Sequence, residues 1–185
     1  MSYLEKIIGI LQNNSRIYYI LEEVEKMDLP NWYLGGGCIT QSIWNSLCDN
    51  NDDYGIKDYD IVYFDKDVSF EKETEYILKI REALPGIDTD VKNQARVHLW
   101  YHDVFAQKID PYSSVEEAIS SWPTTVASIG VRKVNEELIV YAPFGLEDLF
   151  SLIVRPNKIQ VTQDIYITKT KRWLEKWPQL KVVSW

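Results

Sequence analysis

A short apolar run, Trp32-Tyr33-Leu34, leads without a spacer into Gly35-Gly36-Gly37, and then into a stretch with Ile39, Ile43, Trp44 and Leu47 at helical spacing. This strand–glycine–helix junction constrains the chain more than any other feature. Residues without side chains permit a tight turn and let backbone N–H groups approach an anion, while the following helix adds the positive end of its dipole. The spacing is not G-x-G-x-x-G, and no Lys-Ser/Thr pair follows, so neither a dinucleotide-binding fingerprint nor a P-loop is supported. A structural turn and a phosphate cradle both satisfy the pattern.

A second signal lies at Asp58-Tyr59-Asp60-Ile61, opening the apolar run that continues through Val62-Tyr63-Phe64. Alternation along a strand puts Asp58 and Asp60 on one face and Tyr59 on the other. Two such carboxylates repel each other, which favours a divalent cation shared with an anionic ligand. A solvated strand end would carry the same residues.

The remaining punctuation predicts a mixed α+β domain. Helical spacing runs from Tyr3 to Met27, interrupted at Asn13-Asn14-Ser15, where Ser15 is a candidate cap for a second helix. A helix is expected over Phe70–Leu84, ended by Pro85-Gly86, and a strand at Asp90-Val91-Lys92. Gln94–Tyr101 is compatible with strand or helix. A capping box at Ser113-Ser114-Val115-Glu116-Glu117 opens a short helix to Trp122. Strands near Thr125–Val131 and Glu137–Tyr141, a helix over Leu146–Ile153 and a last helix over Gln163–Trp177 complete the reading. With 185 residues and no repeat or linker, one domain is expected: N-terminal helices at 1–28, a core at 30–154 and a basic C-terminal helix at 155–185.

Together the glycines, the short helix and the Asp-x-Asp strand resemble the polymerase-β-type nucleotidyltransferase superfamily. Three further stretches, Asp90–Tyr101, Thr124–Arg132 and Ala142–Phe150, look like a family of small bacterial nucleotidyltransferase-like proteins. The last of these, continuing into Val154-Arg155-Pro156-Asn157, is also similar to the end of the head domain of CCA-adding enzymes. The resemblance spans roughly residues 30–178. It implies a central mixed β-sheet flanked by helices, and transfer of an NMP from an NTP to an acceptor. It assigns Gly35, Gly36 and Gly37 to the nucleotide phosphates, and Asp58 and Asp60 to Mg²⁺ or Mn²⁺. A third carboxylate would accept the acceptor's proton; Asp90, opening the next strand, is the candidate and Asp88 its rival. Lys92 and Arg96 would share the face of Asp90 if that strand persists, and would meet phosphate oxygens; a surface ion-pair role is the other option.

The chain departs from CCA-adding enzymes in several places. Thr40-Gln41 stands where those enzymes carry Arg-Asp, an acidic insert (Asp49–Asp53) lengthens the path to Asp58, and Ser120-Ser121-Trp122-Pro123 replaces an Arg-rich motif. The sequence also stops where their tRNA-binding neck would begin. CCA addition is therefore not expected, and a nucleotide-sensing or partner-binding module on the same fold is the alternative function.

Charge narrows the partners. The net charge is −8, which disfavours a long nucleic acid. It is unevenly placed: residues 155–185 carry seven basic residues against Asp164 and Glu175, leaving the first 154 strongly acidic. A solvated basic helix face and a polyanion-binding tail both fit. An NTP is the expected partner, with the acceptor open and a small RNA retained as a candidate. No stretch approaches the ~20 apolar residues of a membrane span, and Met1-Ser2-Tyr3-Leu4-Glu5-Lys6 lacks a signal-peptide pattern. With only Cys38 and Cys48, the compartment expected is the cytoplasm. His98 and His102, four apart, are expected to be packed or surface residues rather than metal ligands. The seven tryptophans are expected mainly in packing, with Trp173 and Trp177, beside Lys169 and Arg172, as candidates for ligand stacking.

Overall fold

In the computed structural model, which describes all 185 residues, a five-stranded mixed sheet has the order β3-β2-β1-β4-β5. The strands are β1 (Tyr33–Gly35), β2 (Tyr59–Tyr63), β3 (Thr89–Asn93), β4 (Gly130–Val134) and β5 (Glu137–Tyr141). Only β2 and β3 run parallel, joined by the helical crossover α4 (Phe70–Ala83); every other neighbouring pair is antiparallel. The remaining helices are α1 (Tyr3–Asn13), α2 (Ser15–Glu25), α3 (Gly37–Leu47), α5 (Val97–Phe105), α6 (Val115–Ser120), α7 (Glu147–Phe150) and α8 (Gln163–Leu174). A small parallel pair, β6 (Ile153–Val154) with β7 (Lys181–Val182), ties the C-terminus back to the body. No helix is long and apolar enough to cross a membrane.

Strand alternation divides the sheet into two unequal faces. Leu34, Tyr59, Ile61, Tyr63, Val91 and Val131 join the large core with α1, α2, α3 and α8. On the opposite face Tyr33 and Val62 meet Val115 and Ile119 of α6 in a much smaller cluster. The register sets Asp60 beside Asp90 and Val62 beside Lys92, so all four point to this thinly covered face. Polar residues thus sit where α6 does not reach, and the open end of the sheet becomes the mouth of a cavity.

α8 is fixed from below by aromatic packing. Trp44 of α3 meets Trp173 edge-on at 5.0 Å and lies 5.6 Å from Trp177. Trp177 donates its indole N–H to Asn45 Oδ1 at 2.9 Å, while Asn45 Nδ2 holds the carbonyls of Asp52 and Tyr54. Gly55, at φ +73°, leaves room for Trp177; a Cβ there would stand 2.6 Å from the indole ring. The acidic insert itself is largely exposed; the Tyr54-Gly55 segment that follows it is what meets Trp177. Trp173 and Trp177 are almost wholly buried core residues, so the expected stacking platform is not available on their faces.

Several local expectations are corrected. Asn14, not Ser15, caps α2 by accepting from Ile17 N. Thr124–Ala127 forms a turn, because the amides of Ala127 and Ser128 bond back to the Thr124 carbonyl, and the strand begins at Gly130. The expected helix over 146–153 lasts only through Phe150, since β7 captures the following backbone: Lys181 N donates to Leu152 O at 2.7 Å. The last helix stops at Leu174 rather than Trp177. Leu47 is exposed, and α3 buries Thr40, Gln41, Ser42 and Asn45 instead.

Candidate functional site

The turn between β1 and α3 builds one wall. Gly36 adopts φ 71°, ψ −134°, a conformation strained for any L side chain. A Cβ there would lie 3.2 Å from Asp60 Oδ2, so the glycine also permits backbone and carboxylate to approach. The turn is pinned by Gly36 N–H to Ile129 O at 2.9 Å, and by the Thr40 hydroxyl, which donates to the carbonyls of Gly36 and Val126. The first-turn N–H groups of α3, beginning at Gly37, lack intrahelical acceptors and face the same region. Gly35 has a different reason to be glycine. It is buried between Asp60 and Gly130 in the sheet, and a Cβ would strike Ile129 O at 2.7 Å.

Gly36, Gly37, Asp60 and Lys92 line a common cavity of about 240 Å³, and Lys169 reaches into it from α8. Its other walls come from α5, α6 and the segments beside them: Trp100, Tyr101, Phe105, Tyr112 and Trp122 supply aromatic surface, Gln94 and Gln160 amides. Asp58 opens instead onto a neighbouring hollow of about 170 Å³, with Lys57, Arg172 and Lys176. Two carboxylates at the opening of β2 thus line two separate depressions, one aromatic and one cationic.

The electrostatics centre on Asp60. Burial, then the negative charges of Asp90 and Asp58, push its carboxyl up to about 6, against the opposing pull of Lys169 and Lys92. Burial holds the Lys169 amine below its ordinary range, although Asp60 and Asp58 favour its charge. Asp90 is ion-paired with Lys92, two residues along its own strand. Asp88 is exposed just before β3.

Gly35 and Arg96 stand outside the cavity. β3 does not persist to Arg96: Asn93 ends it by accepting from Ala95 N and Asp65 N, and a 3-10 turn over Gln94–Arg96 rotates the chain out of strand alternation. Arg96 is instead paired with Glu73 at 2.9 Å and donates to Ser69 O. His98 is half-buried on α5 and His102 exposed; Cys38 is buried, donating to Gly35 O, with its thiol pushed up by burial. Trp100 and Trp122, expected in packing, form cavity walls, and Lys169 enters the site across more than a hundred residues of sequence. No local spacing signalled these three.

No three carboxylate, imidazole or thiol side chains are grouped closely enough to enclose a metal ion. Mg²⁺ does not need such a cage: it is usually held by one or two carboxylates, with substrate phosphates and water completing six ligands. Asp58 and Asp60 stand two residues apart at the opening of β2, and burial, followed by the charges of Asp90 and Asp58, disfavours the Asp60 anion, which suits a cation of that kind.

A family model described as nucleotidyltransferase matches residues 22–182. An NMR structure described as revealing a CCA-adding enzyme head domain aligns with a TM-score of 0.80 and 27% identity, over 98% of this chain and 96% of its own. A structure of tRNA-processing enzyme complex 3 aligns at TM-score 0.44 and 16% identity, over 85% of this chain and 40% of its own, too slight a likeness to inform the site. No curated protein matches the chain.

Proposed function

Because the chain belongs to the nucleotidyltransferase family, we propose that its cavity transfers an NMP from an NTP to an acceptor hydroxyl, with Asp58 and Asp60 holding Mg²⁺. The observation that carries this reading is the approach of the Gly36 backbone to the Asp60 carboxylate, in a cavity that also takes Lys92 and Lys169. When bound, the cation neutralises triphosphate charge and stabilises the departing pyrophosphate. The Gly36–Gly37 turn and the N-terminus of α3 receive phosphate oxygens. The acceptor oxygen forms a bond to the α-phosphorus as the bond to pyrophosphate breaks. Asp90, across the ladder from Asp60, is the carboxylate placed to take the acceptor's proton once Lys92 turns from it to phosphate.

Calorimetric titration of ATP, CTP, GTP and UTP with Mg²⁺ tests the reading. Wild type is expected to bind at least one of them, with affinity reduced by at least about tenfold in Asp58→Asn/Asp60→Asn, the loss of roughly 1.4 kcal/mol or more of cation-mediated attraction. Absence of binding, or binding indifferent to both substitutions, rejects it. The ion pair between Asp90 and Lys92 favours a second reading, a nucleotide-binding module without turnover, because it engages the proton acceptor. Metal-dependent pyrophosphate release that disappears in Asp60→Asn decides for the enzyme; nucleotide binding without release across an acceptor screen decides for the module.

Arg96→Met separates architecture from site. Losing its partly buried pair with Glu73 is expected to lower stability by about 2 kcal/mol in urea denaturation, with nucleotide affinity changed by less than about twofold (under 0.5 kcal/mol). A tenfold loss of affinity in a folded variant would return Arg96 to the site.

A further inference from the structure

The C-terminal segment, residues 155–185, carries seven basic residues. In the structure its charge is not spread evenly over a solvated face. Lys169 and Arg172 of α8, with Lys176 in the turn after it, recur at spacings of three and four, which aligns them along one side of a helix. Arg172 and Lys176 line the hollow beside Asp58 together with Lys57, while Lys169, one turn earlier on α8, lines the larger cavity. Three cations there face a single carboxylate.

Twelve of the twenty basic residues belong to no ion pair, and Lys57, Arg172 and Lys176 are three of these gathered around one hollow. Lys176 bonds only to the Gly55 carbonyl, and Lys169 lies 4.8 Å over the Trp173 ring. Gln41 closes the floor; its amide nitrogen would be 2.8 Å from a Cβ on Gly37, so the hollow adjoins the glycine turn. The Trp44–Trp173–Trp177 packing holds the stripe in place, so the like charges are assembled by the core rather than by one another.

We propose that this hollow is a polyphosphate-binding site, with Lys57, Arg172 and Lys176 as its ligands. A linear anion such as pyrophosphate or tripolyphosphate offers oxygens along its length and charge to match the cations. Its role rests on the reading above: in that reaction the hollow holds the β- and γ-phosphates and receives pyrophosphate when its bond to the α-phosphorus breaks. The aromatic cavity on the other side of Asp60 is then left for the organic part of the substrate.

Titration calorimetry with sodium tripolyphosphate in EDTA, without any divalent metal, tests the site separately from catalysis. Wild type is expected to bind. Arg172→Gln and Lys176→Gln should each weaken binding about fivefold, and the double variant by more than about tenfold, since each removes one direct charge-assisted contact. These residues are exposed, so matching thermal melts are expected to show that the fold survives. Asp58→Asn should strengthen tripolyphosphate binding severalfold by removing the one opposing carboxylate, the reverse of its expected effect on Mg²⁺–NTP binding. Lys171→Gln, an exposed change on another side of α8, should leave affinity unaltered. No binding by wild type, an indifferent double variant, or an equal loss in Lys171→Gln would overturn the proposal; the last would show diffuse attraction alone. Tripolyphosphate binding without any NTP binding would uphold the hollow while rejecting the proposed function.

Discussion

Replacing Asp60 by Asn is expected to abolish the proposed nucleotidyl transfer while making the metal-free protein more stable at neutral pH. The first effect follows from the proposed role of Asp60, as a carboxylate that would hold the cation where charge develops. Several kcal/mol of such stabilisation corresponds to a rate loss of about 10³ or more. The second follows from the environment of the carboxyl, raised from its ordinary 3.8 to about 6 by burial, Asp90 and Asp58, against Lys169 and Lys92. A carboxyl that holds its proton more tightly folded than unfolded favours the folded state at low pH. That stability is lost as pH rises from about 4 through 6. At about 1.4 kcal/mol per pH unit, the cost in wild type reaches as much as about 3 kcal/mol at pH 7. Asn has no such ionisation. Urea denaturation of both proteins in EDTA should therefore show a difference in unfolding free energy that grows from pH 4 to pH 7 in favour of Asp60→Asn. A difference independent of pH would show that Asp60 is not strained as an anion. A variant that turns over at the wild-type rate would remove Asp60 from the chemistry.

Trp177→Ala is expected to be the most destabilising single truncation at the site's foundation, costing about 3–5 kcal/mol. The side chain is wholly buried, contacts Trp44 and Tyr54, and supplies the hydrogen bond to Asn45. Removing it opens a cavity and leaves the Asn45 carbonyl unpaired in the interior. The same change frees the Gly55 loop and the end of α8, which position Lys57, Arg172 and Lys176. Under conditions where the variant is still folded, its affinity for polyphosphate should drop as well. Trp177→Phe, which keeps most of the packing and loses the hydrogen bond, should cost only about 1–2 kcal/mol and retain most of the binding. Urea midpoints and near-ultraviolet circular dichroism read the stability, titration calorimetry the affinity. A loss below about 1 kcal/mol in Trp177→Ala would mean that α8 is held by other contacts.

Such coupling of packing to site explains why some residues were legible from spacing and others were not. The Asp-x-Asp spacing is legible because strands alternate, a property of any extended backbone, but β2 begins only at Tyr59, and Asp58 and Asp60 line different depressions. The glycine turn is legible for a similar reason: Gly36 has a φ that other residues tolerate poorly. Arg96 leaves the face of Asp90 because strand parity ends at Asn93, whose side chain bonds to Asp65 and Asp67 across the fold and stops the strand. The segment after Phe150 is not helical because its local pattern loses to strand pairing with Lys181 and Val182, some thirty residues away.

Local rules within the chain were thus sufficient for the mixed α+β class, the strand–glycine–helix junction, the paired carboxylates and the uneven charge. The convergence of those parts depended on long-range packing. Asp90 reaches Asp60 through a parallel ladder that needs the α4 crossover, and Lys169 reaches the cavity only because three tryptophans dock α8 under α3. Backbone periodicity acts between neighbours and is written in short spacings. Burial of aromatic surface has no preferred spacing, so the side of α8 that meets the acids was set only when the core closed.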